Sequence, residues 1–305
     1  MKQICFIILF CSFSIGANFA QKKSISDVHH INAWSPYALR TLNMNVVDSG
    51  SIKIFYALNA TVIGKPETYD DLQCLEIGSH MSKYFSSNVY NSDSLVADWV
   101  KKNPTVEELK IPKWLGSKGK FDGWSEYIYS QYFKDFFKNE LTEYSRLPLN
   151  MDKYNAQYSE PLPVHNWDIS DDTLTVVGYL CQKATCRFRG RDYTAWFTID
   201  IPISNGPWKF GGLPGLILKV YDKDKLYTFE CVGIKNHIHK FPIKINKEFT
   251  QYKKTDRQEL WKLKKKLQEN YFQITTVTTG ITLSYGSNSK EKIPNFAPYN
   301  PLELE

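Results

Sequence analysis

Residues 206–222 read Gly206-Pro207-Trp208-Lys209-Phe210-Gly211-Gly212-Leu213-Pro214-Gly215-Leu216-Ile217-Leu218-Lys219-Val220-Tyr221-Asp222, a breaker-rich turn pressed against an apolar strand. Pro207, Gly211, Gly212, Pro214 and Gly215, with Pro202 upstream, leave no room for regular pairing before Leu216. From Leu216 to Tyr221 the chain reads as strand, Asp222 to Lys225 as a hairpin turn, and Leu226 to Ile234 as the returning strand. Upstream, Tyr193, Ala195, Phe197, Ile199 and Ile201 alternate with Thr194, Trp196, Thr198 and Asp200, the period of a strand with one buried face. Arg189-Gly190-Arg191-Asp192 supplies the turn before it, and Thr173 to Cys181 reads as one further strand. Three or four consecutive antiparallel strands follow.

Working outward, Ile52, Ile54, Tyr56, Leu58, Ala60 and Val62 recur at every second position and predict a strand over 50–63. Leu72 to Ile77 and Lys83 to Tyr90 continue a meander. Ser92 or Asp93 is positioned to cap a helix through Lys102, with Leu95, Val96 and Trp99 on one face. Between Trp124 and Tyr144, Tyr129, Tyr132, Phe133, Phe136, Phe137 and Leu141 fall at helical spacings of three and four, which predicts a helix although aromatic residues favour strands. The proline-rich stretch 145–172 reads as loop with brief extended pieces. Thr255 with Gln258 forms a capping box for a lysine-rich amphipathic helix to Asn270, carrying Leu260, Leu263, Leu267 and Tyr271 on one face. A last strand is expected over 275–285, followed by an extended tail. The sum is a mainly β (α+β) single domain, a curved antiparallel sheet or open barrel with a few flanking helices.

The first twenty residues carry a separate signal. Lys2, the apolar run Ile4 to Phe13 and the small-residue site Ala17-Asn18-Phe19-Ala20 have the build of a cleavable signal peptide, leaving residues 21–305 as one exported domain. The run is too short for a membrane span, which needs about 18 apolar residues, and no other stretch reaches that length. Across 305 residues, 42% are hydrophobic and 15% aromatic, ample for a core. The formal charge of +6 is dispersed among 32 acidic residues, the pattern of a mixed solvated surface rather than a nucleic-acid footprint. Cys5 and Cys11 leave with the signal peptide, so Cys74, Cys181, Cys186 and Cys231 remain as buried thiols or as members of a disulfide whose pairing the sequence leaves open.

Gly212-Leu213-Pro214-Gly215-Leu216-Ile217 spells a known signature, and its setting extends through Gly178 to Thr185, Phe188 to Arg191, Ala195-Trp196, Ile201 to Ile203 and the tail Tyr299 to Glu305. The chain resembles the GLPGLI family of exported Gram-negative proteins, most densely over 167–222. That resemblance implies an envelope location and, from the frequent neighbourhood of such proteins with TonB-dependent outer-membrane transporters, a transporter or other envelope protein as partner. It supplies no catalytic residue.

The chemical readings are correspondingly spare. Gly211-Gly212 with Gly215 could mimic a phosphate cradle, but such loops open a helix, and Leu216-Ile217-Leu218 continue as strand. The motif residues Gly206, Pro207, Gly211, Gly212, Leu213, Pro214, Gly215, Leu216 and Ile217 therefore read as a structural junction, with positive φ available at Gly212 and Gly215. His237 and His239 share one strand face, and His29-His30 add two imidazoles, yet no third ligand is evident, so no metal or cofactor is assigned. Asp200, Asp222 and Glu230 could meet as paired carboxylates of a hydrolase. A non-enzymatic protein binding an apolar ligand or a protein partner accounts better for abundant aromatics without a catalytic motif, and the residues flanking the motif, Arg191, Trp196, Trp208 and Phe210, are its candidate binding residues.

Overall fold

A computed structural model of the chain describes residues 43–105, 129–147, 152–270, 273–274, 277 and 299–305. The expected signal peptide, His29-His30, most of the expected strand at 275–285 and the tail before Tyr299 lie outside the described residues.

The described strands form one sheet. They are β1 (Met44–Leu58), β2 (Asp71–Gly78), β3 (Met81–Ser86), β4 (Gln131–Asp135), β5 (Glu140–Ser145), β6 (Ala156–Pro161), β7 (Asp168–Val176), β8 (Tyr179–Phe188), β9 (Arg191–Thr198), β10 (Leu216–Asp222), β11 (Thr228–Asn246) and β12 (Lys253–Lys254). Their spatial order is β12-β6-β5-β4-β3-β2-β1-β11-β10-β9-β8-β7. Every pair is antiparallel except β12 with β6. Two helices flank the sheet, α1 (Ser87–Lys102) and α2 (Arg257–Glu269). The mainly β architecture expected from strand periodicity is the one observed, as an open sheet.

Register puts one row on the inner face, Ile234, Ile54, Leu75, Tyr84, Tyr132, Glu143 and Tyr158, and the next on the outer, Lys235, Lys53, Glu76, Lys83, Phe133, Thr142 and Ser159. The inner face is strongly curled. Five strands separate β4 from β9, about 29 Å in a flat sheet at about 4.8 Å per strand. Yet Lys134 of β4 donates to the Phe210 carbonyl, while Tyr193 of β9 packs on the Phe210 ring at 4.8 Å. Residues 205–210 of the β9–β10 connection are buried in this hollow, and Trp208, Phe210 and Leu213 join the main apolar core with Ile54, Tyr56, Leu75, Phe197 and Phe229.

A second fold-over occupies the outer face. β1 and β11 are long, and opposite Gly50 to Ile52 the β11 partner runs from Phe241 to Asn236, so residues 237–240 bulge outward against a single residue of β1. Gly50 lets Phe241 lie against the backbone, since a Cβ there would meet the ring at 2.4 Å. Beyond this elbow the two strands pack through Val47 and Ile245 with Phe133, Tyr144, Phe249 and Tyr252. α1 covers the adjoining outer surface of β2 and β3, capped by Ser86, whose hydroxyl accepts from the Val89 amide at 3.0 Å.

Several local expectations are corrected. Residues 131–145 form the β4–β5 hairpin rather than a helix: Tyr132 faces inward and Phe133 outward, and cross-strand aromatic packing such as Phe133 with Tyr144 outweighs the accidental helical spacing. Thr173 to Cys181 is two strands, because Val177 (φ 44°) and Gly178 (φ 86°) make a tight turn that a β-branched residue disguises. β1 ends at Leu58, leaving Val62 exposed. α1 starts at Ser87 and buries Val89, Val96 and Ala97, whereas Leu95 is exposed. α2 is capped by Asp256, which accepts from the Glu259 amide at 2.8 Å, rather than by Thr255. Within 145–172, extended structure is longer than expected, forming β6 and the first half of β7.

Candidate functional site

The motif is a plug built for the hollow. Gly212 has φ +85°, as its glycine suggests, but Gly215 serves a different need from positive φ: a Cβ there would lie 2.0 Å from the Thr198 carbonyl oxygen, where β9 and β10 begin to pair. Trp208 is fully buried with φ +51°, a strained backbone held in place by the packing of its ring against Phe188 and Phe210. From β4, the buried Lys134 ammonium donates to Asn205 Oδ1 (2.8 Å), the Gly206 carbonyl (3.3 Å) and the Phe210 carbonyl, tying the opposite wall to the loop. Burial brings its pKa down to about 7.

Beside the motif lies a buried ionic cluster. Lys209 Nζ contacts Glu303 Oε1 (2.5 Å), the Tyr158 hydroxyl (2.5 Å), Glu143 Oε2 (3.5 Å) and Glu160 Oε1 (4.0 Å). Lys264 of α2 pairs with Glu143 at 2.7 Å, Arg189 bridges Glu160 and Glu303, and Arg257 reaches Glu303 at 3.3 Å. Burial would raise the Glu143 carboxyl, but Lys264 and Lys209 outweigh it and hold its pKa at about 2. The Glu160–Arg189 contact at 2.6 Å joins the end of β6 to the β8–β9 turn, so these charges fasten the two halves of the curled sheet across its mouth. The space among them is about 30 Å³, room for one water, and each carboxylate is ion-paired. This arrangement is a lock rather than a substrate cleft.

The candidate binding residues beside the motif separate. Trp208 and Phe210 meet in the core at 5.2 Å. Arg191 is buried and grips the chain's own tail, donating to the Pro301 carbonyl at 2.9 Å and pairing with Asp222 at 3.2 Å. Trp196 lies on the opposite strand face, between Lys183 and Lys219 in register. The three carboxylates considered for a hydrolase do not form a pair: Asp222 binds Arg191, Glu230 binds Lys219 at 2.8 Å, and Asp200 is exposed. Cys74, Cys181, Cys186 and Cys231 are all buried and free, and burial pushes their thiols up, to about 12, 11, 12 and 12. His237 packs edge-on against Phe241, and His239 is exposed.

Open space of ligand size lies on the outer face. Between α1, the sheet and the folded-over arm of β11 is a cleft of about 420 Å³, lined by Lys53, Phe55, Glu76, Lys83, Tyr90 and Phe241 among others. Lys53 and Glu76 pair at 2.7 Å, which leaves their cross-strand neighbour Lys83 to the Lys244 carbonyl (3.0 Å) and to the rings of Phe85 (4.5 Å) and Tyr90 (5.5 Å). Lys83 is fully buried, and this burial lowers its pKa to about 8 against the pull of Glu76. Sequence reading missed this site because the arm of β11 that closes it, with Phe241 and Lys244, comes from a distant part of the chain. The available signal was Lys83 itself, an ammonium sharing a strand face with Phe85.

A family model described as "Protein of unknown function (Porph_ging)" matches residues 189–219, from the turn before β9 through most of β10. That is the stretch that carries the signature hexapeptide. No curated protein matches the chain. Among solved structures, "Structure of PNGF-II in P21 space group" is similar at 13% identity with a TM-score of 0.44, and "Structure of PNGF-II in C2 space group" at 15% with 0.43. Each alignment covers 70% of this chain, which spans about a third of those chains, 33% and 32%. Among the described residues no helix is long and apolar enough to cross a membrane.

Proposed function

We propose that the chain is an exported envelope protein of the GLPGLI kind and that it binds, without transforming it, a ligand with an apolar body and an anionic head in the outer-face cleft. Export is supported by the Ile4 to Phe13 run and its small-residue cleavage site. The observation that carries the binding reading is a cleft of about 420 Å³ beside which the Lys83 ammonium is buried against the Lys244 carbonyl and the rings of Phe85, Tyr90 and Phe133. Glu76, its cross-strand neighbour, is shared with Lys53, and an entering carboxylate or phosphate would add the counter-charge that a buried cation needs. Phe55, Leu72, Phe85 and Phe241 offer the apolar wall beside it. The inner hollow, by contrast, is filled by the motif, so the ligand expected from the aromatic content is assigned to the other face.

Calorimetric titration with dodecanoate and with dodecanol tests this. The expected result is saturable dodecanoate binding, weakened about ten- to a hundredfold by Lys83→Met, with weak dodecanol binding that the substitution leaves unchanged. Absence of dodecanoate binding, or equal affinity in Lys83→Met, removes the assignment.

A further inference from the structure

The elbow of β11 is an exposed basic segment, with Lys235, His239 and Lys240 all exposed. Residues 235–247, Lys235-Asn236-His237-Ile238-His239-Lys240-Phe241-Pro242-Ile243-Lys244-Ile245-Asn246-Lys247, contain four lysines and two histidines and no acidic residue. The 237–240 bulge lifts the centre of this stretch off the sheet, and at its tip Ile238 is 98% exposed between His237 and His239. An isoleucine held at nearly full exposure in a strand costs burial that the neighbouring core could have supplied. Its surroundings add only positive charge. Lys235 and Lys240 are exposed, and the neighbouring carboxylates are engaged elsewhere: Glu76 pairs with Lys53, and Asp48 accepts from the amides of His80 and Met81 at 2.9 Å. The strand then runs directly into the cleft wall through Phe241, Pro242 and Lys244.

We infer that this elbow docks the protein on an anionic phospholipid bilayer, with Ile238 entering the interface and Lys235 and Lys240 meeting lipid phosphates. The match is one of charge and shape: a protruding apolar tip flanked by cations binds where apolar depth and negative surface potential coincide. A folded sheet edge that meets another protein would instead be expected to carry mixed charge and a broader apolar face. The inference rests on the proposed cleft for its purpose, since docking there sets the mouth of the cleft beside the lipid that would supply its anionic, apolar-bodied ligand.

The test is co-sedimentation of the purified protein with large vesicles of phosphatidylcholine containing 30% phosphatidylglycerol, about one lipid in three, and with pure phosphatidylcholine. Binding to the mixed vesicles is expected, little to the neutral ones, and a steep loss as salt rises. Ile238→Asp, and separately Lys240→Glu, are expected to weaken binding more than about tenfold while melting temperature and dodecanoate affinity stay as in the parent, because these two side chains are exposed at the bulge and line no part of the cleft. Undiminished sedimentation of both variants, or equal binding to neutral vesicles, overturns the inference. If dodecanoate binds but the mixed vesicles do not, the docking surface is wrong and the cleft stands; if vesicles are bound through the elbow while dodecanoate is not, the cleft reading fails and the surface stands.

Discussion

Gly215→Val will not yield folded protein. The Cβ it introduces would sit 2.0 Å from the Thr198 carbonyl oxygen and 2.7 Å from its carbon, both main-chain atoms of the neighbouring strand. No rotamer relieves a backbone clash, and Thr198 is the residue that pairs with Leu216 to start the β9–β10 ladder. Parting the strands there would also lift Leu216, Ile217 and Leu218 out of the core. Gly212→Ala provides the contrast. Its Cβ would have room, 3.8 Å from Trp167, and its strain is confined to one left-handed residue at φ +85°, a cost of about 1–2 kcal/mol. Soluble expression and thermal melting should therefore separate the two glycines, with Gly212→Ala folded at a lower melting temperature and Gly215→Val absent from the soluble fraction. A cooperative melt of Gly215→Val near the parent's would show that the strands do not approach as described.

Lys209→Met is expected to be the next most damaging change. Methionine can keep the contacts of the aliphatic stem but leaves Glu143, Glu160 and Glu303 without the cation that touches all three. Removing one partner from a buried ion cluster costs about 3–5 kcal/mol at neutral pH. The loss has a defined pH dependence. Glu143 is depressed from 4.5 to about 2 in the folded protein, so its contribution is present above its unfolded value and fades as pH falls from about 4.5 towards 2. Without Lys209 less of that contribution exists to lose, and the gap between parent and variant should narrow below pH about 4.5. Denaturant titrations at pH 7 and pH 4 measure both points. A gap under about 1 kcal/mol at pH 7, the scale of an exposed pair, would mean the cluster does not fasten the sheet.

What the sequence disclosed and what it hid divide along the range of the interactions. The run from β9 through β10 into the first part of β11 is legible because each pairing is local: Tyr193, Ala195 and Phe197 alternate inward, and Arg189-Gly190 and Asp222 to Lys225 mark the turns. The β4–β5 hairpin was misread because its aromatics serve both faces of one sheet, Tyr132 inward and Phe133 outward, a pattern that mimics helical spacing. The motif joins β9 to β10, and its depth in the hollow is not legible in the sequence. Lys209 stands between Trp208 and Phe210 in an apolar loop, and a lysine there implies buried acidic partners. Sequence offers no means to choose Glu143, Glu160 and Glu303, which come from β5, β6 and the tail. The cleft was illegible for the same reason, since Lys83 meets Lys244 only after β11 folds across the outer face.

The central claim is that the motif fills the inner hollow and leaves binding to the outer face. Hydrogen–deuterium exchange with and without dodecanoate tests it most directly. The account predicts that amides of residues 203–218 are already as protected as core strands in the free protein and unchanged by ligand, while protection is gained over 71–91 and 235–244. Rapid exchange of 203–218 in the free protein, slowed on adding dodecanoate, would place the ligand in the hollow and contradict it.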